Sequence, residues 1–200
     1  MRPLGDVSPD GQHAVSIGND CRIVVWDLAT GEEVKVLAEG RKTFGNDRNA
    51  YFSGVRFSGD GTRLCTHTGT QLTTWQGPSR EAVAEMSTGT APVRLDCSGD
   101  GKLVLLYLSG SNADDAILFK VEDGKFVRVR GFKEVDSEAT LSPDGTLAGF
   151  SGIGKAEVYD LASGEKWTAA EYGDEGHFSS DSKQYAVSDS GTVRLLDSRD

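Results

Sequence analysis

Residues whose types and spacing could support catalysis or metal binding are few in this chain. The histidines, His13, His67 and His177, lie in separate stretches, and none belongs to a His-x-x-x-His or Cys–His pattern of the kind that binds zinc. His67, which the sequence places in a loop after Cys65, is the histidine best placed to face the other loops. The spacing predicts no metal site.

The three cysteines, Cys21, Cys65 and Cys97, are an odd number and form no Cys-x-x-Cys pair. Cys65 and Cys97 lie in apolar, strand-like runs, where a free thiol packs as a small apolar group. We expect reduced, buried cysteines without a redox or metal role. This use of cysteine favours a reducing compartment, and hence a cytoplasmic protein.

Motifs for phosphate binding, calcium binding and acid–base chemistry are incomplete. The segment Gly152–Lys155 has two glycines and a lysine, but it lacks the third glycine and the helix of a phosphate-binding loop. Acidic pairs such as Asp114-Asp115 and Asp174-Glu175 have the residue type of a general acid and base, yet nothing in the sequence brings them into one pocket. The Ser-Asp-Gly turns offer one carboxylate each, whereas calcium takes about 6–8 oxygen ligands. We therefore predict no catalytic residue, no cofactor and no metal.

The elements that would position any site come from an internal repeat. A polar turn that carries Ser and Asp, usually with Gly, recurs five times, and its Asp residues are 50, 40, 44 and 37 positions apart. Pro, Asp and Gly in this order favour a tight hairpin turn. The turns are Ser8-Pro9-Asp10-Gly11, Ser58-Gly59-Asp60-Gly61, Ser98-Gly99-Asp100-Gly101, Ser142-Pro143-Asp144-Gly145 and Ser179-Ser180-Asp181-Ser182.

A large apolar residue follows each turn Asp, at an offset of 15 or 16 positions in four repeats and of 19 in the third. Between these landmarks lie short runs rich in Val, Leu, Ile, Thr and aromatic residues, and no window has the 3.6-residue period of an amphipathic helix. Each repeat therefore predicts a four-stranded antiparallel meander of about 40 residues. The large residues are Trp26, Trp75, Phe119, Tyr159 and Leu196.

A meander of this kind cannot bury both of its faces alone, but copies stacked face to face about an axis can, and they form a β-propeller. The segment from Ala14 to Asp27 resembles the WD40 repeat, and the resemblance extends over the whole chain. Three members of that family's hydrogen-bonded tetrad match Ser16, Asp20 and Trp26, while the fourth, a His before the first strand of the blade, is absent here. The Ser-Pro-Asp-Gly hairpin also occurs in TolB-like propellers, which are the second choice of subtype.

The resemblance implies an all-β fold, a β-propeller of about five four-stranded antiparallel blades in a single region, 1–200. The last repeat stops after its third strand, so we expect an incomplete propeller or part of a larger one; a five-bladed ring that closes imperfectly is the alternative. If Trp26 is buried between blades, replacing it with Ala should cost about 3–5 kcal/mol. The repeats span approximately 1–38, 53–87, 92–130, 137–170 and 174–200.

Composition restricts the partners. The chain has 200 residues, 31 acidic against 21 basic side chains, and a formal net charge of −10, which argues against nucleic acid and anionic membrane surfaces. No stretch approaches the roughly 18–20 consecutive apolar residues of a membrane span, and the N-terminus lacks the apolar core of a signal peptide. We expect a protein partner, with no nucleic acid and no membrane.

The segment between the first and second repeats, residues 39–52, is long and concentrates cations and aromatic side chains. Arg and aromatic residues are enriched at the centres of protein interfaces. On the alternative interpretation, the aromatic residues begin the next strand and the cations neutralise nearby carboxylates. A second inserted segment, Ser109–Asp115, is small and acidic, and blade geometry places it at the same rim. The candidate partner interface comprises Arg41, Lys42, Phe44, Arg48 and Tyr51.

The leading hypothesis is a non-enzymatic β-propeller that serves as a protein–protein interaction scaffold, as a region of a larger protein. The alternative is a propeller enzyme or small-ligand binder that uses the axial channel, for which Asp96, Glu138 and His177 are the candidates on the innermost strands. A third interpretation is a structural repeat whose partner is the rest of its own propeller or a second copy of itself.

Overall fold

The computed structural model of the protein describes residues 5–18, 22–39, 53–77, 80–108, 114–135, 138–152, 154–189 and 191–199. Within these ranges the regular elements are nineteen β-strands in five antiparallel sheets. Each sheet is a meander, in which strands that are consecutive in the chain are neighbours in the sheet. The first four sheets have four strands each, and the fifth has three. This part of the chain contains no helix long and apolar enough to cross a membrane.

The sheets follow the chain from the first repeat to the last. Sheet 1 contains β1 (Gly5–Val7), β2 (His13–Ile17), β3 (Arg22–Asp27) and β4 (Glu33–Glu39), and sheet 2 contains β5 (Ser53–Phe57), β6 (Arg63–Thr68), β7 (Gln71–Gln76) and β8 (Ala82–Ser87). Sheet 3 contains β9 (Arg94–Cys97), β10 (Leu103–Tyr107), β11 (Ala116–Glu122) and β12 (Lys125–Phe132). Sheet 4 contains β13 (Glu138–Leu141), β14 (Leu147–Ser151), β15 (Ala156–Asp160) and β16 (Lys166–Ala170), and sheet 5 contains β17 (Glu175–Phe178), β18 (Gln184–Asp189) and β19 (Thr192–Asp197).

The Ser-x-Asp-Gly turns join the first strand of each sheet to the second through one repeated set of hydrogen bonds. In sheet 4, the Ser142 hydroxyl donates to the Asp144 carboxylate over 2.7 Å and accepts from the Leu147 amide over 2.9 Å. Asp144 also accepts from the Thr146 amide, and Gly145 takes the left-handed φ of 70° that the turn requires. The same serine–aspartate bond occurs in the other four turns.

The sheets stack face to face. Alternate side chains of each strand project to opposite faces of its sheet, so both faces carry apolar residues that a neighbouring sheet can cover. Val15 and Val25 of sheet 1 pack with Phe57 and Leu64 of sheet 2 in one buried cluster. Three further clusters join sheet 2 to sheet 3, sheet 3 to sheet 4 and sheet 4 to sheet 5. The first strands of successive sheets contact one another, so these strands form the innermost edge of the stack.

The strand directions give the stack two rims of different character. One rim, which we call the hairpin rim, carries the turn between the first and second strands and the turn between the third and fourth strands of every four-stranded sheet. A backbone hydrogen bond joins the two turns, as between the Leu161 amide and the Thr146 carbonyl. The opposite rim, which we call the connection rim, carries the turns between second and third strands and the connections from each sheet to the next.

The large residue on the third strand lies against the preceding sheet in four of the five repeats. Trp75 belongs to the cluster with sheet 1, Phe119 to the cluster with sheet 2, and Tyr159 to the cluster with sheet 3. Leu196 packs in the same way against sheet 4. Trp26 differs from the sequence-based expectation. Like Trp75 it is partly buried, but it packs against none of the buried clusters formed by the described residues.

Candidate functional site

Two parts of the stack could present functional side chains, the innermost edge and the connection rim. At the innermost edge, the residue two positions before the turn serine occupies an equivalent place in each sheet. Two of these five positions carry a carboxylate and one carries a guanidinium. They are Asp6 on β1, Arg56 on β5, Asp96 on β9, Thr140 on β13 and His177 on β17.

These charged side chains bind neighbouring innermost strands to one another. The Asp6 carboxylate accepts a hydrogen bond of 2.9 Å from the Phe57 amide of the next sheet. The Asp96 carboxylate accepts one of 2.8 Å from the Leu141 amide, again of the next sheet. Arg56 lies between the two acids in sequence order and pairs with Asp96, with 3.3 Å between its Nε and an Asp96 oxygen. The charges at this edge therefore hold successive sheets in register.

The Asp96 carboxylate is largely buried, and neighbouring groups partly offset the effect of burial on its pKa. Its side chain is 13% exposed, and this burial raises the pKa of Asp96 above its ordinary value, although the Arg56 charge and the hydrogen bond from the Leu141 amide act in the opposite direction. A buried carboxylate beside a guanidinium is typical both of catalytic sites and of structural ion pairs. Here its hydrogen-bond acceptor is used by the backbone of the next sheet, which is a structural use.

The three axial candidates are not assembled as one group. Asp96 and His177 are close enough to interact electrostatically, but Glu138 forms an ion pair with Arg94 of the preceding sheet. In the described ranges, no group of three or more His, Cys, Asp or Glu side chains is arranged to hold a metal ion. The paired charges of the innermost edge therefore join neighbouring sheets. The edge also presents the exposed His177 imidazole on the last sheet.

His67 is placed differently from the sequence-based expectation. It lies within strand β6 rather than in a loop, and its side chain is 1% exposed. It faces Gly54 on β5, where a Cβ atom would come within 2.6 Å of the imidazole Nε2, so only glycine leaves room for the ring. Burial lowers the pKa of His67 to about 4. His67 is thus a neutral core residue near neutral pH and not part of a solvent-facing site.

Two cysteines, Cys65 and Cys97, are free and buried in the cluster between sheets 2 and 3. Their side chains contact each other, and this contact together with burial raises the pKa of Cys97. The Cys97 thiol donates to the Phe57 carbonyl over 3.6 Å. Both act as packing groups in this cluster, whereas Cys21 lies outside the described residues.

The connection rim carries the segment that the sequence singles out as a partner interface. Strand β4 ends at Glu39 and β5 begins at Ser53, so the segment joins the outer strand of sheet 1 to the innermost strand of sheet 2. The predicted interface residues themselves, Arg41, Lys42, Phe44, Arg48 and Tyr51, lie outside the described residues.

The acidic insertion in sheet 3 starts and ends at the same rim, between β10 and β11. Its last two residues bind β12 and the segment that follows it: the buried Asp114 pairs with Arg128, and the Asp115 carboxylate accepts a hydrogen bond of 2.6 Å from the Glu134 amide. These two carboxylates therefore have a structural use. Residues 109–113 lie outside the described ranges.

Tyr172 is a candidate that the sequence reasoning missed. It lies in the connection from β16 to β17 at the connection rim, and it is 69% exposed. An ion pair between Lys155 and Glu171, with 3.5 Å between the charged atoms, lies beside it. The sequence does contain a sign of this exposure. Tyr172 lies in a short polar loop, Glu171-Tyr172-Gly173-Asp174, and not in an apolar strand that could bury it.

Part of the predicted tetrad can be described. The Trp26 indole donates a hydrogen bond of 2.8 Å to the Ser16 hydroxyl, and in sheet 2 the Trp75 indole donates one of 2.9 Å to the Thr66 hydroxyl. This bond ties the third strand to the second within a sheet. Asp20, the third predicted member, lies outside the described residues, so the tetrad as a whole stays a prediction.

Comparison with solved structures agrees with this architecture. The crystal structure of the β-propeller domain of Cps50 (Swd1) from Myceliophteria thermophila is similar to the chain, with a TM-score of 0.73 and 14% sequence identity. The similarity covers 98% of this chain and 66% of that chain. No protein-family model matches the chain, and no curated protein does. The predicted all-β, partial β-propeller fold is confirmed, and each sheet is a blade.

Proposed function

We propose that this chain is a non-enzymatic scaffold that binds a protein partner through its connection rim, as one region of a larger protein. The observation that carries the proposal is the difference between the rims. The hairpin rim repeats the same serine–aspartate turn five times, whereas the connection rim joins its sheets by segments as different as residues 40–52 and 171–174. Specific binding requires such variation on a rigid support.

The chemistry of the connection rim supports a partner with an acidic surface. The segment from 39 to 52 brings together Arg41, Lys42 and Arg48 in a chain whose net charge is −10. Phe44 and Tyr51 are in the same segment, and Tyr172 is exposed at the same rim. Cations and aromatic side chains together form the usual centre of a protein interface.

The internal use of the other charges supports a binding role rather than a catalytic one. Asp6 and Asp96 each hold a backbone amide of the next sheet, and Glu138 is paired with Arg94. We place the scaffold in the cytoplasm, a proposal supported by the buried free thiols of Cys65 and Cys97.

Charge reversal at the connection rim tests the proposal. The triple variant Arg41→Glu, Lys42→Glu and Arg48→Glu is compared with the original chain as immobilised bait, and the recovered partners are quantified by mass spectrometry. The matched control is Lys102→Glu, Lys125→Glu and Lys183→Glu, which makes the same change in net charge at exposed positions of the hairpin rim.

We expect the connection-rim variant to lose at least about tenfold of its specific partner, which corresponds to 1.4 kcal/mol, while the hairpin-rim control retains it. Equal recovery by all three proteins would remove the 39–52 segment from the interface. Loss in the hairpin-rim control alone would move the interface to the opposite rim.

A further inference from the structure

The two cysteines that the structure describes face each other across the interface between sheets 2 and 3. Cys97 on β9 directly precedes the turn serine of sheet 3, and Cys65 on β6 follows the turn serine of sheet 2 by seven positions. Both belong to the cluster buried between these sheets, where Cys65 is 0% and Cys97 is 8% exposed. Each thiol therefore comes from a different blade.

The same two positions of the repeat hold a packing pair in the neighbouring interfaces. Phe57 and Val15 share the buried cluster between sheets 1 and 2, and Leu141 and Leu105 share the cluster between sheets 3 and 4. In each pair, the first residue directly precedes a turn serine, and the second follows the turn serine of the preceding sheet by seven positions. Stacking of the blades thus brings these positions together, and among the four described interfaces only the one between sheets 2 and 3 has cysteine at both.

The contacts of the two thiols place their sulfur atoms side by side. The Cys97 thiol donates to the Phe57 carbonyl over 3.6 Å, and Phe57 pairs with Leu64, the residue beside Cys65. The Cys65 sulfur lies 3.6 Å from the Thr74 hydroxyl and in hydrogen-bond contact with the Cys97 sulfur. The hydrogen bonds from Cys97 and Thr74 outweigh burial and lower the pKa of Cys65. Cys65 is therefore the more readily ionised thiol, and a second thiol is in contact with it.

We propose that Cys65 and Cys97 form an oxidation site, at which hydrogen peroxide converts the two thiols to a disulfide that joins sheet 2 to sheet 3. The pairing is not visible in the cysteine spacing of the sequence, because it arises only when the two sheets stack. A reducing compartment keeps both thiols free, and the cross-link forms where peroxide is present.

The reaction conserves atoms and electrons in two steps. The Cys65 thiolate attacks one peroxide oxygen and the O–O bond breaks, which gives the sulfenic acid of Cys65 and a hydroxide ion that takes up the proton lost by the Cys65 thiol. The Cys97 sulfur then attacks the Cys65 sulfur and the S–O bond breaks, so that the hydroxyl group leaves as water with the Cys97 proton. In total, the two thiols lose two electrons and two protons, and peroxide is reduced to two water molecules.

The surroundings of the pair favour a disulfide over further oxidation. A sulfenic acid condenses with a thiol that can reach it, and otherwise it can be oxidised to sulfinic acid. Here the Cys97 thiol is already in contact with Cys65. Because both residues are buried, the oxidant must be small or must enter when the interface opens locally, and hydrogen peroxide meets the first requirement.

The disulfide has a predictable effect on stability. It closes a loop that contains β7, β8 and the connection to β9. A cross-link across a loop of about 30 residues restricts the unfolded chain, and it stabilises the fold when the native geometry accepts the bond. Because the sulfur atoms are already in contact in the folded chain, we expect the oxidised chain to unfold at a higher temperature than the reduced chain.

The test uses the full chain and its Cys21→Ser variant, in which Cys65 and Cys97 are the only cysteines. Both proteins are treated with hydrogen peroxide while folded, digested without reduction and mapped by mass spectrometry. Thermal unfolding is measured before oxidation, after oxidation and after reduction with dithiothreitol. We expect peptides linked through Cys65 and Cys97, and an unfolding temperature that rises by about 5 °C or more on oxidation and returns on reduction.

The matched control adds Cys97→Ala to Cys21→Ser. Its Cys65 should stop at the sulfenic acid, which dimedone labels, and oxidation should not raise its unfolding temperature. The peptide mapping needs no substitution in the pair, so it decides the question whether or not this control folds. The proposal is overturned if peroxide leaves both thiols of the folded Cys21→Ser chain free, oxidises them to sulfinic acid without a cross-link, or links two chains to each other. A cross-linked chain that unfolds at a lower temperature than the reduced chain would also overturn it. None of these measurements involves the connection rim, so the result is independent of the partner-binding proposal.

Discussion

At the scale of single residues, His67 shows how the interface between blades decides the state of a titratable group. The side chain is 1% exposed, and neither ring nitrogen has a hydrogen-bond partner within the part of the chain that the structure describes. Protonation would place an uncompensated charge in this interface, so burial lowers the pKa of His67 to about 4 from an ordinary value of 6.5.

This residue predicts a pH dependence of stability. Between pH 6.5 and 4 the unfolded chain binds a proton at His67 that the folded chain does not, so stability falls as the pH falls through this window. We expect a loss of about 2 kcal/mol between pH 7 and pH 5 from this group, measured by urea unfolding. His67→Leu should remove that part of the pH dependence.

The matched control for this prediction is His13→Leu, which changes a partly exposed histidine at the start of β2. The control should keep the pH dependence of the original chain. If His67→Leu retains the full loss between pH 7 and pH 5, another group carries it, and the buried neutral imidazole is the wrong explanation.

At the scale of elements, the serine–aspartate turn is the unit that makes the repeat. Burial acts to raise the pKa of Asp144, but the hydrogen bonds from Ser142 and Thr146 outweigh it and hold the pKa below its ordinary value. A carboxylate of this kind stabilises the fold above its unfolded pKa, and the stabilisation is lost as the pH falls through the folded pKa. The turns therefore contribute least in strong acid.

The serine of the turn matters most where it is buried. Ser142 is 0% exposed, and its hydroxyl accepts a hydrogen bond of 2.9 Å from the buried Leu147 amide. Ser142→Ala removes the acceptor from an amide that water cannot easily reach, so we expect a loss of about 1–3 kcal/mol in urea unfolding. Ser179→Ala makes the same change in the more exposed turn of sheet 5 and should cost less than about 1 kcal/mol. Similar costs for both would mean that the turns are equally open to solvent.

The elements also show what the sequence can and cannot predict. The turns and the large third-strand residues were predictable, because a tight hairpin requires particular residues and a sheet face alternates in steps of two. The burial of His67 was not predictable, since the sequence does not reveal that Gly54 leaves space for its imidazole ring. The separation of Glu138 from Asp96 was equally hidden, because the pairing with Arg94 depends on how innermost strands of two sheets align.

Trp26 illustrates a limit of repeat-based reasoning. Its position in the repeat predicts burial between blades. Phe119 and Tyr159 are buried in that way, and the partly buried Trp75 packs against the cluster between sheets 1 and 2. Whether an equivalent residue is covered depends on the blade that precedes it, which no property of the residue itself encodes. The expected loss of stability for a tryptophan between blades therefore belongs to Trp75 rather than to Trp26 in the described chain.

At the scale of the whole molecule, the innermost edge and the connection rim have separate roles in the proposed function. The paired charges of the innermost edge and the buried clusters join each blade to the next. The connection rim carries the variable segments that we propose bind a partner.

Binding through the connection rim can be tested by hydrogen–deuterium exchange of the chain, free and bound to the partner recovered by the bait experiment. We expect slower exchange on binding in the connections of the connection rim, namely residues 39–52, 68–71, 88–93 and 171–174, with no change in the hairpin turns at 58–62 and 142–146. Slower exchange confined to the hairpin turns or to the innermost strands would contradict it.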